Sequence, residues 1–432
     1  MKKVLLITYY WPPAGGAGVQ RPLKFVKYLR DFGWEPIVYT CDISNHQVKT
    51  DETLLKDLPQ DLKIYKKKLW EPYSLFFKIK KENPNPNGFK AFQNGGLLSK
   101  ILLYIRSNFF FPDAKMFWIY PSVTEIKKII KKENIDAIIS TGPPHTTHMI
   151  ALKIKKETQL PWIADFRDPW TNIEYFSDLK LFSFVRKLHY KFEKEVTQLA
   201  DKVIVVGKTM QEEYRTISSR KDIEVITNGY DENDFESVET PQIKPKFNLN
   251  HTGTLRDTQN HESFWQALHE LCSEVSEFKK DLEINFYGFT DSSVLDSAQK
   301  YDLQQNVQIH SYLNHSEIVK IQKSSLILLL IVNKLDNPRR IITGKIFEYI
   351  ASERPILLLG PEDGDAAEIL EKVGHKHISD FDNKEKIKAQ ILDLYNSYQN
   401  ENLGNLKINS NQYSRRELTK ELSKVLNSIS PN

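Results

Sequence analysis

Short apolar runs rich in valine, isoleucine and leucine alternate with longer segments of helical period along most of the chain. In the first half the runs lie at 4–9, 36–40, 135–140, 162–165, 203–206 and 224–227, with a helix predicted at 19–32. In the second half they lie at 248–251, 283–287, 307–310, 326–332 and 355–359. Apolar runs that alternate with helices are typical of parallel strands buried on both faces. The pattern therefore predicts an α/β protein.

A break separates the two series of strands at residues 231–246, which are acidic and polar and carry Pro241 and Pro245. Such a stretch is typical of an interdomain linker. We predict a first domain at 1–230, a second at 247–405, and a helical end at 406–432 that crosses back to the first domain.

Each domain is expected to be a doubly wound, Rossmann-like sheet, since 432 residues suit two domains of roughly 200 residues. In such sheets ligands bind beyond the carboxyl ends of the strands. We expect the two domains to face a cleft where the ligand binds.

The composition excludes several classes of protein. A hydrophobic content of 40% and a charged content of 27% exclude a disordered chain and a bundle of membrane spans. Cys41 and Cys272 lie far apart without metal-ligand spacing, so neither a disulfide framework nor a metal site is expected. The apolar run at 4–7 is too short for a signal peptide. These features predict a cytoplasmic protein.

An insert at about 50–118 interrupts the first series of strands. A basic stretch starts inside this insert and extends to Lys132. Between Lys63 and Lys132 there are fifteen Lys or Arg residues and four acidic ones, with aromatic residues interleaved, although the net charge of the whole chain is only +4. Such a segment suits the anionic inner face of a cell membrane. The alternatives are a solvated helical face with a small core of its own and, less favoured, nucleic acid, for which the chain has no recognised motif.

A glycine-rich loop with Gly15 and Gly16 follows the first strand and precedes a helix. Glycines let the backbone approach a ligand, and the free N–H groups of the next helix attract an anion. A dinucleotide fingerprint would need a further glycine at position 21, which is Arg21. The loop is predicted to contact the donor, or else to be a simple tight turn.

Two further candidates follow strands of the first domain. His145 comes after the 135–140 run, where an imidazole serves proton transfer or binds a developing anion, although a lone histidine is often structural. Asp165 ends the 162–165 run, and Arg167 and Asp168 follow it. They are predicted to bind acceptor hydroxyl groups, and the alternative is a structural ion pair between Arg167 and one of the two carboxylates.

Two segments of the second domain predict a diphosphate site. Gly253, Thr254 and Arg256 follow its first strand, so small residues clear space and an arginine reaches a phosphate. A second segment opens the helix after the 326–332 run and contributes Thr343, Gly344, Lys345 and Glu348. There, Thr343 is expected to cap the helix, free N–H groups to bind phosphate, and Glu348 to accept from ribose hydroxyls. The alternative is a plain capped helix.

These segments together resemble the retaining glycosyltransferases of family 4. The resemblance rests on Gly-Thr-Leu-Arg at 253–256, Asn-Gly-Tyr-Asp at 228–231, and the block Lys-Ile-Phe-Glu-Tyr-Ile-Ala-Ser-Glu-Arg-Pro-Ile-Leu-Leu-Leu-Gly at 345–360. The Asp-Phe-Arg-Asp-Pro-Trp segment at 165–170 and the glycine loop are similar to bacterial surface-polysaccharide members. The resemblance implies a GT-B fold, with the nucleotide sugar held by the second domain and the acceptor by the first.

The resemblance also assigns roles to single residues and shows two departures. Glu348 matches the second glutamate of the family's Glu-x7-Glu motif, which binds ribose, whereas Arg340 stands where the first glutamate would be. His261 stands where the family's second basic residue would be. Because the first glutamate contacts the donor sugar in the family, the identity of that sugar stays open.

The predicted function is transfer of a sugar from a nucleotide diphosphate sugar, without metal or other cofactor, to a lipid-linked or saccharide acceptor in surface polysaccharide synthesis. Retention is expected, with Arg256 and His145 as catalytic residues, since fixed cations stabilise the charge that builds on the leaving diphosphate. The alternatives are a sugar-nucleotide epimerase or phosphorylase of the same fold, or a non-catalytic nucleotide-sugar-binding subunit. The predicted location is cytoplasmic or peripheral on the inner membrane face.

Overall fold

The computed structural model describes residues 1–42, 50–70, 97–236, 246–404, 406 and 408–430. The chain divides into two compact units. The first comprises Met1–Thr227 with Arg415–Asn432, and the second comprises Asn228–Ser414. Residues 237–245 of the predicted linker and residues 71–96 of the predicted insert lie outside the described part of the chain.

A seven-stranded parallel sheet forms the centre of the first unit, in the order β3-β2-β1-β4-β5-β6-β7. Its strands are β1 Lys2–Ile7, β2 Trp34–Asp42, β3 Lys63–Lys68, β4 Ala137–Gly142, β5 Trp162–Phe166, β6 Lys202–Val205 and β7 Ile223–Val225. The helices are α1 Ala17–Tyr28, α2 Leu97–Phe109, α3 Ile119–Glu133, α4 Thr146–Thr158, α5 Glu174–Asp178, α6 Ser183–Leu199 and α7 Lys208–Ser218. Separate apolar clusters cover the two faces of the sheet.

The second unit is built around a six-stranded parallel sheet in the order β10-β9-β8-β11-β12-β13. Its strands are β8 Phe247–Thr252, β9 Leu282–Tyr287, β10 Val307–His310, β11 Ile327–Ile331, β12 Ile356–Leu359 and β13 Ile378–Ser379. The helices are α8 Asn233–Glu236, α9 Glu262–Glu274, α10 Phe278–Asp281, α11 Ser293–Lys300, α12 His315–Ser324, α13 Lys345–Ala351, α14 Asp365–Lys372 and α15 Lys384–Gln399. Apolar clusters again line both faces.

Both sheets reverse their strand order at one point. In the first unit the reversal lies between β1 and β4, and in the second between β8 and β11. Ligands of open parallel sheets bind beyond the carboxyl ends of the strands at such a reversal. The loops that follow these four strands are therefore where each unit is expected to bind its ligand.

The last helix, α16 Arg415–Ile429, belongs to the first unit although it follows the second in sequence. Leu418, Leu422 and Leu426 recur at helical spacing and are buried in one of that unit's apolar clusters. The Trp34 indole N–H also donates to the Asn427 side-chain oxygen at 3.0 Å. The chain thus crosses from the second unit back to the first at residue 415.

The predicted α/β class with two Rossmann-like sheets is confirmed, but the sequence does not predict two edge strands, β3 at Lys63–Lys68 and the two-residue β13 at Ile378–Ser379. The sequence of β3, Lys-Ile-Tyr-Lys-Lys-Lys, lies in the predicted basic insert. The strand lies at the edge of the sheet and pairs only with β2. Lysines are common on edge strands because they discourage pairing with another chain, so an edge strand does not show the apolar run that identifies a central one.

Among the described residues, none of the helices has both the length and the apolar character needed to cross a membrane.

Candidate functional site

The carboxyl end of β8 is tied to helix α13 by a buried hydrogen-bond network. The Thr252 backbone N–H donates to the Tyr349 hydroxyl at 2.9 Å. The Gln322 side-chain amide, on α12, donates both to Thr252 Oγ1 at 3.2 Å and to Glu348 Oε2 at 3.0 Å. These bonds fix the loop after β8 against the start of α13, which were the two segments predicted to hold a diphosphate.

Two glycines make room at this point. Gly253 has φ +99°, and a Cβ atom there would lie 3.3 Å from Lys345 Nζ. Gly288, after β9, has φ +120°, and a Cβ atom there would lie 2.9 Å from the Gly253 carbonyl oxygen. Both residues have a left-handed backbone that favours glycine. Sequence analysis identified Gly253 but missed Gly288, whose signal was a glycine directly after a predicted strand.

Lys345 is held by a buried histidine. Its amine lies 3.0 Å from His251 Nε2, and His251 Nδ1 lies 3.0 Å from the Leu329 carbonyl oxygen. Because a carbonyl only accepts, His251 Nδ1 carries the proton and Nε2 presents a lone pair to the amine. Burial lowers the pKa of Lys345 to about 8, partly opposed by Glu348. Burial and then Lys345 hold the pKa of His251 well below its ordinary value.

Glu348 lies one turn into α13 and carries a negative charge. Burial acts to raise its pKa, but hydrogen bonds and charges from His315, Gln322 and Lys345 outweigh burial and lower the pKa. His315 Nε2 lies 3.3 Å from Glu348 Oε1. A carboxylate held in this way suits acceptance of hydroxyl hydrogen bonds, as predicted for a ribose ligand.

The remaining predicted donor residues occupy different positions around this loop. Helix α13 begins at Lys345 with Gly344 as its N-cap, so the expected cap by Thr343 is wrong. The Thr343 hydroxyl is buried and has no hydrogen-bond partner among the described residues. Gly344 and Thr254 are exposed, and Arg256 is half-buried. Arg256 forms no ion pair within the described part of the chain, and its backbone N–H donates to Gln259 Oε1 at 3.1 Å.

The two positions that depart from the family motif differ in their surroundings. His261 is buried and its Nε2 lies 3.0 Å from the Val332 carbonyl oxygen, and burial lowers its pKa. It is therefore a neutral structural residue and does not replace the missing cation. Arg340 ends the short 3-10 helix Pro338–Arg340 and is half-buried.

In the first unit, His145 stacks face to face on Trp170, with ring centroids 4.6 Å apart and an interplanar angle of 2°. Its Nδ1 is buried without a hydrogen-bond partner among the described residues. Burial, followed by the charges of His148, His189 and Arg167, holds the pKa of His145 well below its ordinary value. The imidazole is therefore neutral at physiological pH.

His148, one turn after His145 on α4, is packed inside the first unit. Its Nδ1 lies 2.8 Å from Ser140 Oγ, which also accepts from the Trp162 indole N–H at 2.9 Å. Burial lowers the pKa of His148 to about 3. A Cβ atom at Gly142 would lie 2.6 Å from His148 Nε2, so this glycine is required for the close packing of strand and ring.

Asp165 is engaged inside the protein rather than open to an acceptor as expected. Only 1% of the residue is exposed. Its carboxylate accepts from Arg21 Nη2 at 2.8 Å and from Thr141 Oγ1 at 2.7 Å. Burial acts to raise its pKa, but Arg21 and Thr141 outweigh burial and lower it. The expected structural partner, Arg167, is not the one observed.

Arg167 instead joins the loops of the first unit. Its guanidinium donates to the carbonyl oxygens of Gly142, at 3.2 Å, and of Pro143 and Gly18. These contacts bring together the glycine loop after β1, the loop before His145 and the Asp-Phe-Arg segment. Gly15 is half-buried, Gly16 is exposed with φ +105°, and Asp168 is exposed.

Comparisons with known proteins agree with this architecture. Residues 22–234 match the model of Glycosyltransferase Family 4. No sequence among the curated proteins matches the chain. A glycosyltransferase from Rickettsia africae is similar in structure, with TM-score 0.62, 15% identity, and 100% of this chain and 99% of that chain covered.

Two further solved structures are similar. Anabaena HepE in complex with UDP-glucose has TM-score 0.61 and 12% identity, covering 99% of this chain and 100% of that chain. A Listeria monocytogenes protein assigned as a UDP-N-acetylglucosamine 2-epimerase has TM-score 0.53 and 14% identity, covering 99% and 96%. These likenesses show that the chain has the GT-B fold, and its first unit carries the match to Glycosyltransferase Family 4.

Proposed function

We propose that this protein is a glycosyltransferase that moves a sugar from a nucleotide diphosphate sugar to a lipid-linked or saccharide acceptor. The second unit binds the donor through Gly253, Thr254, Arg256, Lys345 and Glu348, with Thr343 and Gly344 beside them. The match to Glycosyltransferase Family 4 and the GT-B fold support the reaction class.

The observation that carries the proposal is the position of Lys345. Its amine lies against Gly253, at the reversal of strand order, and is anchored by His251 at 3.0 Å. Burial already lowers the pKa of this amine to about 8. A diphosphate placed there would form charge-assisted hydrogen bonds with this amine and would offset the cost of its burial as a cation. Glu348, one turn further along α13, is spaced to accept from the ribose of the same nucleotide.

The proposed mechanism uses charges that belong to the chain. The bond between the anomeric carbon and the diphosphate oxygen breaks, and negative charge builds on the leaving group. Arg256 and Lys345 stabilise that charge more in the transition state than in the ground state. The acceptor oxygen then attacks the same face, and its proton passes to the departing phosphate oxygen, so the configuration is retained. We propose that no metal is required, because the two cations supply the compensating charge.

The first unit is proposed to bind the acceptor. Asp168 is exposed beside the loops that Arg167 holds together, whereas Asp165 supports them from inside. His145 is proposed to act as a neutral hydrogen-bonding group near the reacting hydroxyl, since its Nδ1 has no partner in the described chain. Gly16 leaves open space next to the start of α1 for a bound group, since a Cβ atom there would meet nothing within 4 Å, and Gly15 precedes it in the same loop.

We further propose that the acceptor is carried by a lipid and that the reaction belongs to surface polysaccharide synthesis. The protein would then act in the cytoplasm, at the inner face of the membrane. The basic and aromatic residues of the first unit support the proposed location at the membrane.

A sugar-nucleotide epimerase is the second candidate, favoured by the structural likeness to the Listeria monocytogenes protein. Arg340, in place of the family's first glutamate, favours a binding subunit without catalysis. Incubation with labelled UDP-, GDP-, ADP- and dTDP-sugars, with and without saccharide and lipid-linked acceptors, separates these functions. Transfer that requires acceptor and gives the donor's anomeric configuration supports the proposal. Sugar conversion without acceptor supports the epimerase, and binding without turnover supports the subunit.

A further inference from the structure

Helix α2, at Leu97–Phe109, presents apolar side chains to solvent. Its exposed positions recur three or four residues apart, which is the spacing of one helical face. They are Ile101, Tyr104, Ile105 and Phe109, with exposed fractions of 46%, 39%, 41% and 64%. Surface helices of a globular protein normally direct this stripe toward the core, so an outward stripe marks an interaction surface.

A second segment, distant in sequence, extends the same apolar surface. Asn108 is buried, and its side chain donates to the Lys180 carbonyl at 3.0 Å and accepts from the Phe182 N–H at 2.7 Å. Phe182 consequently packs against Tyr104, with ring centroids 5.5 Å apart. Phe184 stacks on Phe182 at 5.6 Å and is 68% exposed. The aromatic surface is therefore held in place by buried hydrogen bonds.

The two segments that form this surface carry basic residues and no acidic ones. Leu97–Phe109 and residues 179–191 contain six cations and no aspartate or glutamate. These cations are Lys100, Arg106, Lys180, Arg186, Lys187 and Lys191. A surface that buries aromatic rings in a protein partner does not require such a one-sided charge. An anionic lipid headgroup layer does, because it attracts each cation while the rings enter the acyl boundary.

The length of α2 decides how such a surface would meet a bilayer. A helix that spans the hydrocarbon core needs about 20 apolar residues, and α2 has 13. It is thus suited to lie in the plane of the interface, with Phe109, Phe182 and Phe184 inserted at headgroup depth.

We propose that the outer face of α2 and the Phe182–Phe184 segment form a docking surface for an anionic lipid bilayer. This inference deepens the proposed function, on which it rests for a membrane-borne acceptor. It also relocates the membrane contact, because half of the surface comes from residues 179–191, outside the basic stretch between Lys63 and Lys132.

The test is cosedimentation of the full chain with vesicles in the absence of any sugar nucleotide. We expect binding to vesicles of phosphatidylcholine mixed with phosphatidylglycerol at low salt, and little binding to phosphatidylcholine alone. The double variant Phe109→Ser/Phe184→Ser should bind at least about tenfold more weakly, since each ring loses its burial. Lys180→Glu/Lys187→Glu should weaken binding by about tenfold or more.

Matched variants locate the effect. Leu199→Ser/Leu295→Ser removes two apolar side chains that are 41% and 52% exposed outside the surface, and should leave vesicle binding unchanged. Lys128→Glu/Lys131→Glu reverses two exposed charges of α3 within the basic stretch and should weaken binding less than Lys180→Glu/Lys187→Glu. Circular dichroism of each variant verifies the fold.

Equal binding to neutral and anionic vesicles would overturn the proposal, as would unchanged binding of Phe109→Ser/Phe184→Ser. Light scattering after size-exclusion chromatography tests whether a second copy of the chain, and not a bilayer, binds this surface. If the chain does not bind vesicles but forms a dimer, and the serine substitutions dissociate that dimer, the surface is a self-association surface instead. Loss of vesicle binding with intact transfer to a soluble acceptor would leave the proposed reaction standing, so the two failures are distinguishable.

Discussion

The strand ends of the two units carry charged residues in similar sequence positions but use them differently. Near the end of β5 in the first unit, Asp165 is buried and paired with Arg21, so its charge is satisfied inside the protein. At the start of α13 in the second unit, Lys345 and Glu348 are half-buried. Among the described residues, hydrogen bonds hold Lys345 through His251 and Glu348 through His315 and Gln322. Charges that are mutually neutralised stabilise a fold, whereas charges that are oriented but incompletely paired are available to a ligand.

The largest expected effect comes from removing the buried ion pair between Asp165 and Arg21. Asp165→Asn should destabilise the first unit by about 3–5 kcal/mol, because the buried Arg21 loses its partner. Thermal or urea unfolding measures the change, with Asp168→Asn as the exposed control, for which we expect less than about 0.5 kcal/mol. Unchanged stability with a raised KM for the acceptor would instead assign Asp165 to the acceptor site.

The next largest effect comes from removing the charge of Lys345 at the start of α13. Lys345→Met should lower kcat by about 10²–10³, the usual loss when one fixed donor to a developing anion is removed. The variant removes the charge and keeps an unbranched side chain that is one atom shorter, so most of the volume beside Gly253 stays filled. Donor-dependent transfer under saturating acceptor measures the effect. A kcat within about threefold of the parent would show that Lys345 does not contact the leaving group.

Acid should destabilise the first unit through its buried histidines. Burial lowers the pKa of His148 to about 3 and that of His189 to about 4. Their folded pKa values lie below the ordinary value of 6.5, so the unfolded state binds more protons and stability falls as pH drops below about 6.5. Between pH 7 and 5 each contributes a loss of about 2 kcal/mol.

Urea unfolding across this pH range measures the slope, and His148→Asn should reduce it. An unfolding free energy that stays constant from pH 7 to 5 would contradict the assignment of these histidines as buried and neutral.

The smallest effect separates two glycines with the same backbone conformation. Gly253 and Gly374 have φ +99° and +93°, but only Gly253 faces Lys345, since a Cβ at Gly374 would meet nothing within 4 Å. Alanine at either position should cost about 1–2 kcal/mol of stability. Only Gly253→Ala should also raise the donor KM, by about tenfold, because its methyl group displaces the amine. Equal KM values for the two variants would remove Gly253 from the donor site.

The sequence predicted the central strands well because each is a continuous apolar run between helices. It does not predict β3, whose lysines face solvent at a sheet edge, because an edge strand does not need that run, nor β13, which is an edge strand of only two residues. It also identified Lys345 and Glu348, which lie within one turn of a single helix, so their spacing is local.

The partner of Asp165 could not be predicted in this way. Arg21 lies 144 residues earlier in the chain, where the sequence marks it only as the residue that breaks a glycine fingerprint. The pairing becomes visible only once β1 and β4 are neighbours in the sheet. The same applies to His251, which was read as part of an apolar strand and proves to anchor Lys345.

Calorimetric binding of UDP, GDP, ADP and dTDP as a function of pH tests whether Lys345 binds the diphosphate of the donor. We expect the parent to bind at least one of these diphosphates, with an affinity that falls above about pH 8 as Lys345 loses its proton. Lys345→Met should bind more weakly by about 1.5–3 kcal/mol and without that pH dependence, whereas Asp168→Asn should match the parent. Binding of Lys345→Met equal to that of the parent at every pH would contradict this role of Lys345.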